Sequence, residues 1–445
     1  MAQIMLSFIS YMKAYSFQRG GISYDDPTAP QNNKSDAAYL PTVSVISLFQ
    51  HPVGNVIPLV SVGAAVHEGM LVGKGTKPGS SNIHSSVPGK IIRNIEWNDC
   101  NGIVNKALVV RMEGAFKHLG KKNENFLTGN FNYNDLIKIL SECGIVEMEQ
   151  SGTPITEKLE LLNASGKPHA LVVRCIFDDP WLAADYVLLK ERLKEVVEGC
   201  FIIAKSCKKI ERVIFAVSKK EKFTGLLMLR EAEQYNFPVS MILTGSKYPQ
   251  RNRRELEIVL KNFAKNEKLA LGSLLILGPA TLAAVHDAVK YHRPVLERYV
   301  ALGGPALKNP CVMRARIGKK INDLINECGG VIGAPERIIA GSPLSGKRLI
   351  YPDEPITKTT YAVYAMLKAK KDSNFKQDCI SCGECRNVCP VALDPEELYK
   401  QLMILGQANS SGYNECHGCG CCELVCPSRL PLAETITGIT RGQNA

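Results

Sequence analysis

A chain of 445 residues is too long for one hydrophobic core and predicts three or four domains. With 45% hydrophobic and 22% charged residues, it is neither fibrous nor an extended acidic or basic tail. No apolar run reaches the ~18–20 residues that a membrane-spanning helix needs. The net charge of +11 suits an anionic membrane face or an acidic electron carrier. No basic–aromatic motif accompanies it, so nucleic acid is not expected as a partner.

The first residues, Met1 to Met12, are apolar but short. No basic residue precedes them and no small-residue cleavage site follows, which excludes a signal peptide and predicts folding in the cytosol, where thiols stay reduced. Residues 1–40 form a lead-in read as loop, with Gly20-Gly21 and the run from Asp25 to Asn33.

Over 41–115, short β-type runs (Val43–Leu48, Val56–Val60, Leu108–Met112) alternate with regularly placed glycines. The pattern Gly54-x4-Leu59-Val60-x-Val62-Gly63-x2-Val66-x2-Gly69-x2-Val72-Gly73, then a hairpin over Ile83–Ile92, resembles the biotinyl/lipoyl-type barrel-sandwich hybrid. A carrier domain presents a swinging lysine at the corresponding turn. Here that turn reads Ser85-Ser86-Val87-Pro88, which favours a structural module without an attached cofactor. His84 is read as a packing residue.

Residues 130–290 alternate helix and strand. Helices are expected at Tyr133–Cys143, Ala184–Cys207, Thr224–Gln234 and Ala280–Lys290, and strands at Ala170–Phe177, Val213–Val217, Val239–Leu243 and Ser273–Gly278. This order implies parallel pairing and a Rossmann-like α/β domain. A β-rich unit follows over 291–345, then a helical stretch at Thr360–Lys370. Cys100, Cys143, Cys175, Cys200, Cys207, Cys311 and Cys328 lie in apolar or mixed contexts and are read as buried and inert.

The last region, 356–435, carries the clearest chemistry. Cys379-x2-Cys382-x2-Cys385-x3-Cys389-Pro390 is repeated as Cys416-x2-Cys419-x2-Cys422-x3-Cys426-Pro427. Each run is the bacterial-type ligand pattern for a 4Fe–4S cluster, whose fourth cysteine ligates the other cluster. Cys379, Cys382, Cys385 and Cys426 are therefore expected to bind the iron of one cluster, and Cys389, Cys416, Cys419 and Cys422 that of the other. Zinc also uses CxxC pairs, but gains nothing from the C-x2-C-x2-C-x3-C-P run. Cys421 falls outside the spacing and is a spare thiol.

Several further motifs occur in order. They are Gln50-His51-Pro52-Val53-Gly54, His84-Ser85-Ser86-Val87-Pro88-Gly89-Lys90, Thr244-Gly245-Ser246-Lys247-Tyr248-Pro249-Gln250 and Arg293-Pro294-Val295-Leu296-Glu297-Arg298. Arg316-Ile317-Gly318 with Cys328-Gly329-Gly330, Gly341-Ser342-Pro343-Leu344-Ser345-Gly346 and Pro355-Ile356-Thr357-Lys358 follow. From about 45 to 435 the chain resembles the RnfC (RsxC) family, the C subunit of the Rnf ion-translocating ferredoxin:NAD oxidoreductase. Cobalamin reductases of propanediol utilisation share this layout.

The resemblance implies four modules: a barrel-sandwich-hybrid domain, an α/β flavoprotein-like domain, an SLBB-like module over 291–345 and an α-helical bacterial-ferredoxin-type dicluster domain. It also implies a peripheral place on the cytoplasmic face of the inner membrane beside other Rnf-type subunits. NADH would reduce FMN in the α/β domain, which feeds the clusters.

The family's flavin stretch, Gly-x-Gly-Gly-Ala-x-Phe-Pro, falls on Gly144-Ile145-Val146-Glu147-Met148-Glu149-Gln150-Ser151-Gly152-Thr153-Pro154. The inner glycines are replaced by Glu147, Glu149, Gln150 and Ser151, and carboxylates repel a phosphate. A second signature, Asn-Gly-Ala-Glu-Cys-Glu-Pro-Tyr, falls on Arg174 to Trp181, with Asp179 where the second Glu stands. A degenerate nucleotide site would involve Gly144, Gly152, Asp179 and Lys247. The erosion predicts that flavin and NADH binding are lost or altered. Three functions stay open at this point: an NADH-oxidising subunit, a cluster-bearing electron-transfer and scaffold subunit, and a cobalamin-reductase-like protein.

Overall fold

The structure, a computed structural model, describes residues 13–443 apart from 32, 53–55, 100–101, 122–124, 126–131, 150, 165–168, 270–271, 334, 368–376 and 407–410. Expectations for Met1–Met12, Gly54, Cys100 and Gln150 lie outside the described residues.

The lead-in is not a free loop. Its strand β1 (Ala14–Tyr15) pairs parallel with residues 243–244, and β2 (Asp36–Ala37) pairs parallel with residues 313–314. Between them Gly21 N–H donates to the Val388 carbonyl (2.9 Å). Residues 14–37 thus form a strap across three parts of the molecule. Two-residue strands carry no periodicity, which is why the sequence reads as loop there.

The barrel-sandwich region comprises β3 (Val43–Ser47), β4 (Val56–Pro58), β5 (Ala65–Val66), β6 (Leu71–Gly75), β7 (Ile83–His84), β8 (Gly89–Asn98) and β9 (Val104–Met112). They form two antiparallel sheets, β3-β9-β8-β5 and β4-β6-β7. Ile46, Val72, Ile83, Val87, Ile91, Leu108 and Val110 fill the space between them. The hairpin expected over Ile83–Ile92 is corrected: β7 pairs with β6, whereas β8 pairs with β5 and β9. Ser85–Pro88 instead crosses from one sheet to the other, and it is buried. The Ser86 hydroxyl donates to the Ile317 carbonyl and the Ser85 hydroxyl to the Val87 carbonyl (2.7 Å). Burial pushes His84 down to about 3, so it packs as a neutral ring.

The α/β region follows. A helix at Tyr133–Glu142 is closed by a capping box between Asn132 and Asp135, and a second helix spans Ile155–Ala164. Strands β10 (His169–Cys175), β11 (Ile210–Ser218), β12 (Val239–Thr244) and β13 (Ser273–Leu277) join β1 in a parallel sheet of order β1-β12-β11-β10-β13. One face packs Leu171, Val173, Phe215 and Val217 into the main core, under the helices Leu193–Ser206 and Pro279–Tyr291. The other packs Val172, Ile214 and Ile242 against Leu256, Val259 and Leu260 of the helix Arg253–Asn266. β10 is buried on both faces, as a central parallel strand must be. The single helix expected over Ala184–Cys207 is two, Ala183–Glu191 and Leu193–Ser206, broken at Arg192 (φ −127°, ψ 34°). The Arg192 guanidinium there reaches Asp287 at 2.7 Å.

The third sheet holds β14 (Glu297–Gly303), β15 (Cys311–Arg316), β16 (Pro335–Ala340), β17 (Lys347–Arg348) and β18 (Ala362–Leu367), in the order β17-β16-β18-β14-β15-β2. A helix at Ile321–Glu327 covers it. The helix expected over Thr360–Lys370 is corrected: its described part is β18, parallel to β14 and antiparallel to β16. Small and β-branched Ala362, Val363 and Ala365 fit that doubly flanked position. Cys311 and Cys328 are buried free thiols whose sulfurs lie 2.9 Å apart. Trp181 is fully buried, donates to Asp26 of the strap (3.2 Å) and meets Tyr364 edge-to-face at 5.0 Å. Its loss would cost about 3–5 kcal/mol.

The final region is helical: Glu384–Asn387, Pro395–Leu405, Cys421–Leu424 and Leu432–Gln443.

Candidate redox centre

The two cysteine runs fold alike. In each, a glycine in the left-handed region (Gly383, φ 75°; Gly420, φ 76°) turns the loop into a one-turn helix, Glu384–Asn387 or Cys421–Leu424. Cys385 and Cys422 occupy matching places on those helices. The two last cysteines exchange sides. One cavity is lined by Cys379, Cys382, Cys385 and Cys426, with Ile380, Tyr399, Leu430 and Leu432. The other is lined by Cys389, Cys416, Cys419 and Cys422, with Val391, Leu393, Pro395 and Ile436. Cys421 also lines the second cavity.

Backbone N–H groups point at the sulfurs: Leu393 to Cys389 (3.3 Å), Gly418 to Cys416 (3.5 Å) and Leu430 to Cys426 (3.5 Å). Such donors favour a negatively charged sulfur. Among the described residues, no three His, Cys, Asp or Glu side chains converge as a single metal ion would need. Four thiols around an apolar cavity, backed by amides, fit a thiolate-bound cubane in donor type and number.

The cavities differ in surroundings. At the first, Cys382 is exposed and Ile380 is 64% exposed. The second lies at a domain junction. The Tyr248 hydroxyl donates to the Cys419 carbonyl (2.8 Å), Arg254 pairs with Glu415 (3.2 Å), and Glu255 reaches His417 (3.4 Å).

The four residues of the expected nucleotide site each have a partner of their own. A Cβ on Gly144 would lie 2.2 Å from the Asn82 carbonyl oxygen, and one on Gly152 3.2 Å from that of Gln50. Both glycines therefore serve packing against the barrel region. Asp179 caps the turn Pro180–Leu182 by accepting from Trp181 N–H (3.0 Å). Lys247 donates to the Gly20 carbonyl (2.9 Å) and lies over the Phe17 ring at 4.0 Å, so it holds the strap.

A cleft of about 440 Å³ does open beside β13, lined by Glu147, Ser151, Thr153, Lys158, Arg174 and Arg253 on its polar side. Lys158 and Arg253 escape a reading of the sequence because the helices that carry them, Ile155–Ala164 and Arg253–Asn266, are not expected there. The mixed apolar–charged periodicity of Glu255–Phe263 is the signal that could have found the second of them. Burial works against the Glu147 carboxylate, yet Lys158 and Arg174 beside it hold it below its ordinary range. Burial lowers the Arg174 guanidinium to about 10.

Family models match four segments in series: the RnfC barrel sandwich hybrid domain over 16–114, the Nuo51 FMN-binding domain over 140–285, the NQRA C-terminal domain over 299–350 and a 4Fe–4S dicluster domain over 378–430. The C subunit of an ion-translocating oxidoreductase complex from Rhodobacter capsulatus is 27% identical over 365 residues, covering 81% of this chain and 69% of that protein.

Along most of its length the chain is similar to C subunits of Rnf-type complexes.

A second relative is the C subunit of a proton-translocating ferredoxin:NAD(+) oxidoreductase complex from Clostridium ljungdahlii. It is 27% identical over 396 residues, 87% of this chain and 84% of that one. The C subunit of an ion-translocating oxidoreductase complex from Pseudomonas aeruginosa is 28% identical over 363 residues, 80% of this chain but 46% of that longer protein. Among solved structures, an NAD+-reducing NiFe-hydrogenase aligns over 70% of this chain and 61% of that one, at 12% identity and TM-score 0.49. The dicluster match makes this chain a protein of two 4Fe–4S clusters. No helix among its described residues is long and apolar enough to cross a membrane.

Proposed function

We propose that the chain is the peripheral electron-transfer subunit of a membrane-bound, Rnf-type ion-translocating oxidoreductase. Its partners are the other Rnf-type subunits, both membrane-embedded and ferredoxin-like, and its place is the cytoplasmic face of the inner membrane. The names of its relatives support this reading. So does the order of its four domains, which divide near 41–115, 130–290, 291–345 and 356–435.

The observation that carries the reading is the exchange of the last cysteines between two apolar cavities. Cys379, Cys382, Cys385 and Cys426 hold one cluster; Cys389, Cys416, Cys419 and Cys422 hold the other. When bound, each cluster supplies a one-electron relay. The chain's own residues set its conditions. Apolar side chains exclude water, amide N–H groups stabilise charge on sulfur, and Tyr248 and Glu255 tie the second cavity to the α/β domain.

Anaerobic purification with iron and acid-labile sulfide analysis tests the reading. Two cubanes' worth of each, with two reducible signals in electron paramagnetic resonance, are expected. One cluster, or bound zinc in place of iron, would refute it.

A further inference from the structure

The RnfC-type α/β domain matches an FMN-binding model, yet the residues at that place do not fit a flavin phosphate. Glycines usually line such a place so that bare backbone amides can reach the anion. Here two carboxylates point inward and are already partnered. Glu147 accepts from Lys158, accepts from the Ser151 hydroxyl (2.9 Å), and lies 3.9 Å from Arg174. Its side chain is 4% exposed. The cations that a phosphate would need are therefore engaged by an anion belonging to the chain.

Glu149 does the same two residues further on. Its carboxylate accepts from the Thr281 backbone N–H (2.8 Å) and from the Thr281 hydroxyl, at the N-terminus of the helix Pro279–Tyr291. That terminus is where an anion is bound most favourably. Gly278 leaves room for the carboxylate itself: a Cβ there would lie 2.5 Å from Glu149 Cδ. The Thr281 hydroxyl also accepts from Met148 N–H (3.0 Å), which locks the loop onto the helix.

We infer that Glu147 and Glu149 stand in for the phosphate and close the flavin place of this domain, so that the protein holds no flavin. The consequence for its partners rests on the two-cluster reading above. NADH delivers electrons as a hydride, a pair, whereas a 4Fe–4S cluster accepts one. Without a flavin to split the pair, the donor to this chain is a reduced one-electron carrier protein of the ferredoxin class. Each encounter moves one electron: the carrier is oxidised by one and this chain reduced by one, with no proton or bond exchanged.

The test uses the cluster-loaded protein under argon. Released-flavin fluorescence against iron content should show less than about a tenth of a flavin per chain. Added FMN should keep its fluorescence. NADH should leave the cluster absorption unchanged, while a reduced ferredoxin bleaches it. Stoichiometric flavin, quenching of FMN by the wild type, or bleaching by NADH would overturn the inference. The double variant Glu147→Gly with Glu149→Gly should bind FMN at least about tenfold more tightly than the wild type, with unchanged iron content. Equal affinity in the two would show that these carboxylates are not what closes the site. Low iron in the wild type would count against the two-cluster reading instead, leaving flavin content as its own measurement.

Discussion

The Tyr248 hydroxyl donates a 2.8 Å hydrogen bond to the carbonyl of Cys419, joining a loop of the α/β domain to the second cysteine run. The ring is 6% exposed, and burial holds its hydroxyl protonated well above the ordinary tyrosine range. Tyr248→Phe strips the donor and leaves a carbonyl unsatisfied, at a cost of about 1–3 kcal/mol. The variant should keep both clusters and melt at lower temperature. An unchanged melting midpoint would mean that the exposed Arg254–Glu415 pair and its neighbours hold the junction alone, although such pairs contribute only about 0–1 kcal/mol.

Cys389 lies in the first run but lines the second cavity. Cys389→Ser should diminish the second cluster's signal and spare the first. Cluster-resolved electron paramagnetic resonance reads this directly. Loss confined to the first cluster would show that each run serves its own cubane.

Five thiols line the second cavity, one more than a cubane takes. Cys421 is fully buried but lies outside the repeated spacing. Cys421→Ala should retain two clusters, whereas Cys422→Ala should lose the second. Iron content of the two purified variants separates them; loss of iron in Cys421→Ala would reassign the ligand.

Lys358 is fully buried between the barrel and α/β regions. It donates to the carbonyls of Asn82 (2.9 Å) and Gly144 (2.7 Å). A neutral amine has two N–H donors, matched by those two carbonyls. Burial lowers the amine from 10.5 to about 7. In the unfolded chain it keeps its proton up to pH ~10.5, so between those values the unfolded state binds more protons and stability rises with pH. Below about 7 the burial penalty is present in full. Lys358→Met should flatten this rise, read as the wild-type-minus-variant difference in thermal midpoint between pH 7 and 9.5. A difference that does not change with pH would mean that the amine stays charged in the folded protein.

The sequence was most legible where chemistry or burial is local. The cluster runs are fixed by covalent spacing, so the two cysteine sets that line the cavities can be grouped from the pattern. β10 can be placed because Ala170–Val173 is an unbroken apolar run, flanked by His169 and Arg174, as a strand buried on both faces requires. What stays hidden depends on distant partners. Ala362–Leu367 is short and ambiguous by itself and becomes a strand because β14 and β16 flank it. The break at Arg192 comes from Asp287, which is 95 positions away. The replaced glycines are visible, but not that Thr281 and Lys158 receive the carboxylates, since neither lies in the motif. Nor can the sequence tell that Gly144 serves the barrel rather than a nucleotide.

The strap places a constraint on biosynthesis. Residues 14–37 leave the ribosome before their partners, for they pair with 243–244, 313–314 and the Val388 carbonyl. A Cβ on Gly20 would lie 2.6 Å from the Cys389 backbone, so that seat exists only once the first cysteine run has taken its shape. At about 5–20 residues per second, the emerged segment waits roughly 20–70 s for its last partner. Its docking is therefore a late event in maturation, and it records that the first cysteine run has been made and folded.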